Sequence, residues 1–305
     1  MNTPIGYALF PLRRFGDSDG RRGVVAGGSQ LNLKILWRGN PKLWQAICQL
    51  VAVWGHLGCL GFRGRRSFGA LQLQQPNYPL QDALLHFQRS SGIQIKQLDM
   101  AEHTDPASEA ARLLRWYRSW RQHGQMARRW IKKQQHWEPV PEMQKIQNRH
   151  QPGFPYARRD HNEGLVVQGT GAPNPDPENP LGNEGVTFRP ALGLPIIQFF
   201  SSLGKNGTPL PRGQATVNWE YGPGTPDDPK GRFASPVLLR PHRDAQGNWH
   251  ALVIFVDAHR WPDGRPVYLN GQQRKVAMVT LPDGSRSPAL YEAMKQDQAL
   301  QPFTG

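Results

Sequence analysis

Gly55-His56-Leu57-Gly58-Cys59-Leu60-Gly61-Phe62-Arg63-Gly64-Arg65-Arg66-Ser67-Phe68-Gly69 is the most informative stretch of this chain. Its five glycines let the backbone approach a ligand closely and expose its N–H groups. Arg63, Arg65 and Arg66 add forked donors whose geometry matches phosphate oxygens. A P-loop would end in Gly-Lys-Ser/Thr and would follow a strand, and neither condition holds here. A Rossmann loop fails on the same topological ground. Two readings of the stretch remain, a cradle for a phosphate backbone and a basic, flexible connector.

The flanks place this loop between regular elements. Pro41 opens a helix with Leu43, Trp44, Ile47, Leu50, Val51 and Trp54 at three-and-four spacing, and Gly55 ends it. Ser67 to Gln74 reads as the strand that follows. Upstream, Gln30-Leu31-Asn32-Leu33-Lys34-Ile35 alternates strictly, which predicts a strand with one buried face. Tyr7 to Leu12 is a further short apolar run. Strand, helix, glycine-rich loop and strand in that order match the second half of a ferredoxin-like βαββαβ unit.

Composition narrows the function classes. The 305 residues suffice for one large domain or two ordinary ones, with no need of a disulfide or metal staple. Lys and Arg number 37 against 23 acidic residues, a net charge of +14 that favours a polyanionic partner. The 32 glycines and 28 prolines predict long loops, while 29 aromatic residues require a core. Cys48 and Cys59, the only cysteines, exclude a disulfide framework and a four-cysteine zinc site. No apolar run reaches 18 residues, and Met1 to Gly6 lacks the pattern of a secretory signal. The expectation is a cytoplasmic protein without a membrane partner.

The middle of the chain is more polar. Ala107 to Gln122 predicts a helix whose Leu113, Trp116, Tyr117 and Trp120 share about 100° of arc. Arg115, Arg118 and Arg121 lie around its other side. Between Glu109 and Glu138 there is no acidic residue, and the interval also holds Arg112, Arg128, Arg129, Lys132 and Lys133. Such a run reads either as a solvated helix face or as one turned to RNA. Residues 169–185 and 205–231 read as loops, and Trp249 to Val256 as the strongest strand. The expected fold class is α+β: a ferredoxin-like (RRM-like) core in residues 1–81, a helical basic insertion in 82–149, and a C-terminal section with long Gly/Pro-rich loops in 150–305.

Acid–base and metal candidates are few. His56 beside three arginines is a candidate general base for ribonuclease chemistry, or else a histidine with a structural bond. Asp17 and Asp19, near Arg21 and Arg22, suit Asx-turns. His242, His250, Asp257 and His259 are close in sequence, but ligands at successive strand positions point to opposite faces. No metal or cofactor is expected.

Several segments together resemble a known family. The helix and glycine-rich loop ending in Arg65-Arg66-Ser67-Phe68-Gly69 look like the signature loop of the RAMP superfamily of CRISPR-associated proteins. Gly6-Tyr7-Ala8-Leu9-Phe10-Pro11-Leu12 and Gly27-Gly28-Ser29-Gln30 resemble the start of the second RAMP domain in the first subunit of Cmr (type III-B) effector complexes. Phe188-Arg189-Pro190-Ala191-Leu192-Gly193-Leu194-Pro195-Ile196 resembles that subunit's Pro-Arg-x-x-Phe-Gly-Leu-Pro-Ile segment. Arg232-Phe233-Ala234-Ser235-Pro236-Val237-Leu238-Leu239-Arg240-Pro241 resembles its Arg-x-Ala-Ser-Pro motif. The segments run in the family's order from Gly6 to about Val256.

The resemblance also shows departures. The family's double glycine is Gly55-His56 here, and Ser67 stands where the family has its last glycine. The family's first RAMP half has no counterpart before Gly6, which implies a split between two chains or a shortened version.

The resemblance implies a RAMP core and a non-catalytic RNA-binding subunit of a type III RNA-guided effector complex in antiviral defence. Its partners would be guide RNA, held toward the 3′ end, target RNA, other RAMP subunits, and a separate chain supplying the missing half. The expected RNA contacts are Gly58, Gly61, Arg63, Gly64, Arg65 and Arg66, with Arg21, Arg22, Arg115, Arg118, Arg128 and Arg129. The alternative is a RAMP endoribonuclease, processing guide RNA through His56 or cleaving target RNA through Asp17 or Asp19.

Overall fold

The computed structural model describes residues 29–59, 65–67, 69–73, 80–85, 92–99, 105–121, 128–131, 136–139, 152–167, 185–194, 196–199, 216–222 and 232–303. The expected strand at Tyr7 to Leu12 and the sites at Asp17, Asp19, Arg21, Arg22, Gly61, Arg63 and Gly64 lie outside them.

In chain order the helices are α1 (Trp44–Leu57), α2 (Leu80–Leu85), α3 (Pro106–Arg121), α4 (Phe154–Val167) and α5 (Ala289–Lys295). The strands are β1 (Ile93–Leu98), β2 (Arg128–Ile131), β3 (His136–Pro139), β4 (Val186–Thr187), β5 (Ile196–Phe199), β6 (Thr216–Glu220) and β7 (Val237–Arg243). They continue with β8 (Trp249–Val256), β9 (Pro266–Leu269), β10 (Gln272–Val276), β11 (Met278–Thr280), β12 (Arg286–Pro288) and β13 (Leu300–Pro302). The fold class is α+β. Among the described residues no helix is long and apolar enough to cross a membrane.

The chain divides into two compact units, residues 1–115, 238–254 and 302–305, and residues 116–237 and 255–301. A four-stranded sheet runs in the order β13–β1–β8–β7. Its strongest strand is β8, where Ala251 to Phe255 are all buried, so the continuous apolar run is a sheet centre. Residues 244–248 join β7 to β8, too short for a parallel crossover, and the pair is therefore antiparallel. Asp244 caps that turn, accepting from the Asn248 backbone N–H at 2.7 Å. Beside the sheet strands, the first unit packs α1 against α2, whose Leu80, Ala83 and Leu84 are buried.

The second unit holds a five-stranded sheet in the order β4–β10–β9–β6–β5. β10 pairs with β4 in parallel, and the other neighbours are antiparallel. Trp219, Trp261, Val267 and Leu269 are fully or almost fully buried in its core, with Ala191, Leu194 and Phe233. Asn270, with φ of 45°, and Gly271, with φ of 80°, make the tight β9–β10 turn.

Four local expectations need correction. Gln30 to Ile35 forms no strand among the described residues, and Leu31 and Leu33 are exposed. Alternation makes a strand only where a neighbour completes the ladder. Of the expected strand Ser67 to Gln74, the described residues 67 and 69–73 form none, because Ser67 (φ 72°) and Gly69 (φ 66°) turn the backbone into the left-handed region. Residues 205–231, expected as loop, contain β6, whose Trp219 is wholly buried. Arg128 and Arg129 belong to the antiparallel pair β2–β3, in which Trp130 is in register with Trp137, so the basic run is not one helix. The ferredoxin-like order expected around residues 30–74 is likewise not formed by the described residues of that range.

Candidate nucleic-acid interface

The glycine-rich stretch begins at the end of α1. Helix α1 runs two residues past Gly55 to Leu57, and the Gly58 N–H donates to the Trp54 carbonyl at 2.7 Å. A Cβ at Gly58 would stand 2.3 Å from that same carbonyl oxygen, so only glycine fits there. Cys59 then bridges Ala70 in antiparallel register, closing the base of the loop. On its far side the loop is pinned to β7 through one residue. The Leu239 N–H donates to the Arg65 carbonyl at 3.2 Å, and the Ser67 N–H donates to the Leu239 carbonyl at 3.1 Å. Arg66 thereby pairs in parallel with Leu239 and continues the sheet beyond its β7 edge. Arg65 is exposed and Arg66 half-buried. Ser67 is buried in the left-handed region, and its Oγ has no hydrogen-bond partner. The backbone here favours glycine.

Beneath the loop lies Arg240, 3% exposed. Its Nε donates to the His56 carbonyl at 2.8 Å, and Nη2 donates to the carbonyls of Gly55 (3.4 Å) and Leu71. Two of these acceptors belong to the last turn of α1, where helix carbonyls lack intrahelical donors and the dipole end is negative. Arg240 is thus the C-terminal cap of α1 and ties the helix, the loop's return and β7 together. Burial lowers its pKa to about 10, which leaves it charged at neutral pH. Its Nη1 is buried without a hydrogen-bond partner.

His56 is buried at the helix end, its ring 5.4 Å from that of His242 in an edge-to-face arrangement. His242 also meets Phe303 edge-to-face at 5.8 Å. Burial first, then the neighbouring His56, Arg240 and His250, hold the His242 pKa down to about 3. An imidazole neutral over the whole physiological range does not exchange protons near pH 7, as general acid–base work requires.

The remaining candidates are dispersed. Arg115 is exposed on α3, with Nε donating to the Ala111 carbonyl at 3.4 Å, and Arg118 is half-buried on the same helix. The opposite face of α3 is held inward, where the indoles of Trp116 and Trp120 donate to Asp297 Oδ2 at 2.7 and 2.8 Å. His250 Nε2 lies 2.9 Å from Asp244 Oδ2. Asp257 accepts from Tyr291 and Lys295, and His259 stacks on Phe233. Among the described residues no group of three or more metal-ligating side chains forms.

A second junction joins two of the segments quoted above. The Leu194 N–H donates to the Phe233 carbonyl at 2.8 Å. Gly193, with φ of 118°, approaches so closely that a Cβ would lie 3.2 Å from that carbonyl oxygen. The buried Asp160 carboxylate accepts from the N–H groups of Phe188 and Arg189 and from Arg189 Nε, each at 2.8 Å. Arg189 is therefore engaged in structure, with its guanidinium 5.5 Å from the Trp219 ring. Sequence reasoning named His242 only as a metal candidate and Arg240 only within the quoted 232–241 segment, and it did not single out Asp160. Arg240 and His242 bracket the Pro241 that ends the quoted 232–241 segment, which was the available signal, whereas Asp160 had none.

No family model, curated protein or solved structure matches this chain.

Proposed function

We propose that the chain is a non-catalytic RNA-binding subunit of a type III RNA-guided effector complex. The observation that carries this reading is the Gly/Arg loop itself, closed at its base by Cys59 and Ala70 and pinned to Leu239. Such a loop presents Arg65 to solvent on a fixed support. It suits phosphate contacts, which position a nucleic acid without reading its bases. The net charge of +14 supplies the long-range attraction. Base pairing between guide and target RNA would then carry the sequence information, and other RAMP subunits would share the RNA.

The sheet supports a RAMP-type core. Its four strands, ranked by chain position, lie in the order four, one, three, two. α3 follows the first of these strands and α5 precedes the last, with a hairpin between the second and third. With β2–β6 and β9–β12 taken as insertions, that order resembles the connectivity of a ferredoxin-like βαββαβ unit, which supports the reading. Two pairs of the segments that resemble the family meet in space, 55–69 with 239–240 and 193–194 with 233. The endoribonuclease reading draws on the His56–His242 pair, but the neutral, buried His242 argues for a structural pair.

The test is binding of unrelated guide sequences to the Arg63→Ala, Arg65→Ala, Arg66→Ala triple variant at matched salt. A uniform loss across sequences is expected. Unchanged binding would make the loop a connector.

A further inference from the structure

We propose that residues 31–54 form the docking surface for a protein partner that offers an apolar helix flanked by carboxylates. Among the described residues, every exposed large apolar side chain except Val279 lies in this one stretch. Leu36 is 72% exposed, Leu31 67% and Leu50 54%, and Trp37, Trp44 and Trp54 are exposed with them. Single exposed leucines are ordinary on a protein surface, whereas their concentration in 24 consecutive residues marks an interaction surface.

The arrangement of α1 explains how the surface arises. At 100° per residue, Leu43, Ile47, Leu50 and Trp54 fall within about 60° of arc, the stripe expected to face a core. The helix instead buries Gln49, Ala52, Gly55, His56 and, at its last residue, Leu57, and leaves Ile47 half-buried. Its orientation is set at its C-terminal end, where Arg240 holds the Gly55 and His56 carbonyls and His242 packs on the His56 ring. That polar anchor turns the small face inward and the apolar stripe outward.

Charge selects the occupant. Lys34, Arg38 and Lys42 alternate with the apolar residues, and the sequence has no Asp or Glu from Gly20 to Gln81. A partner must therefore bring carboxylates around an apolar strip. A second copy of this chain would set the same cations against each other. RNA would match the charge and find stacking faces on Trp37, Trp44 and Trp54, but six of the nine exposed apolar side chains in the stretch, Leu31, Leu33, Ile35, Leu36, Leu43 and Leu50, are aliphatic and offer a base no π-face. A helix lying on a lipid surface carries its cations along its own polar face. α1 has no Lys or Arg between Trp44 and Leu57, and its other face is buried against protein. The inference stands apart from the RNA reading, since it concerns a different surface and a different class of partner.

The test uses the full chain and two helical peptides of about 18 residues. Both carry leucines along one face, one flanked by glutamates and the other by lysines at the same places. The glutamate peptide is expected to bind at least about tenfold more tightly than the lysine peptide. The Leu50→Ser, Trp54→Ser double variant should lose that binding by a similar factor, and Leu31→Ser with Leu36→Ser, outside the helix, should do the same. Equal binding of both peptides, or binding of neither, overturns the proposal. So does a self-associated dimer, or binding to poly(U) or to phosphatidylglycerol vesicles, that the double variants abolish.

Discussion

His242 gives a stability test in which both the sign and the size follow from its surroundings. The imidazole is buried among His56, Phe303 and the charge of Arg240, so its folded-state pKa lies near 3 against an ordinary value of 6.5. The unfolded chain therefore binds a proton below pH 6.5 that the folded chain refuses until about pH 3. The stabilisation is fully present above pH 6.5 and is lost as the pH falls through that window. The loss works out at about 2 kcal/mol by pH 5 and about 4 kcal/mol by pH 3.

The assay is urea unfolding at pH 7.5 and pH 5.0 for the parent chain and for His242→Phe, which keeps an aromatic ring and removes the titration. Other groups titrate in both proteins, so the difference between the two pH effects isolates His242. The parent should lose about 2 kcal/mol more than the variant between these pH values. An equal loss in both would mean that the His56–His242 contact does not exist as described.

Three further substitutions test the supports of the interface. Arg240→Met should cost about 2–4 kcal/mol, because it strips donors from the buried carbonyls of Gly55, His56 and Leu71. An unchanged denaturation midpoint would contradict its capping role. Ser67→Gly should stabilise by about 1 kcal/mol, since it relieves a left-handed backbone and removes an unpartnered buried hydroxyl, and a lowered melting temperature would refute this. Trp120→Ala should cost about 3–5 kcal/mol by losing a buried ring and its bond to Asp297, whereas a neutral effect would place the apolar face of α3 elsewhere.

The strongest elements were readable because their cause is local. α3 satisfies a helical apolar stripe, and its observed bounds differ by one residue at each end from those expected. β8 matches its expected bounds because a continuous apolar run needs two covered faces. α1 was readable as a helix but not in its orientation, which depends on Arg240, 184 positions away from His56. The turn at Ser67 was hidden because serine gives no signal of a positive φ. Its position in place of a glycine acquires a physical meaning only with the observed φ of 72°. β6 went unread inside a Gly/Pro-rich stretch, since only its pairing with β5 and β9 makes Trp219 a core residue.

For the interface, the loop and its arginines stood out by composition, whereas what holds the loop in place did not. Arg240 and His242 act through backbone carbonyls and ring edges, which no spacing rule in the sequence encodes.

The central claim is that the Gly/Arg loop grips an RNA backbone through charge. The most direct measurement is the salt dependence of guide-RNA affinity for the parent chain and for the Arg63, Arg65 and Arg66 triple alanine variant. For about six neutralised phosphates the parent's log–log slope should lie near −4, and losing three contacts should reduce its magnitude by about 2. Slopes that coincide in the two proteins would contradict the account.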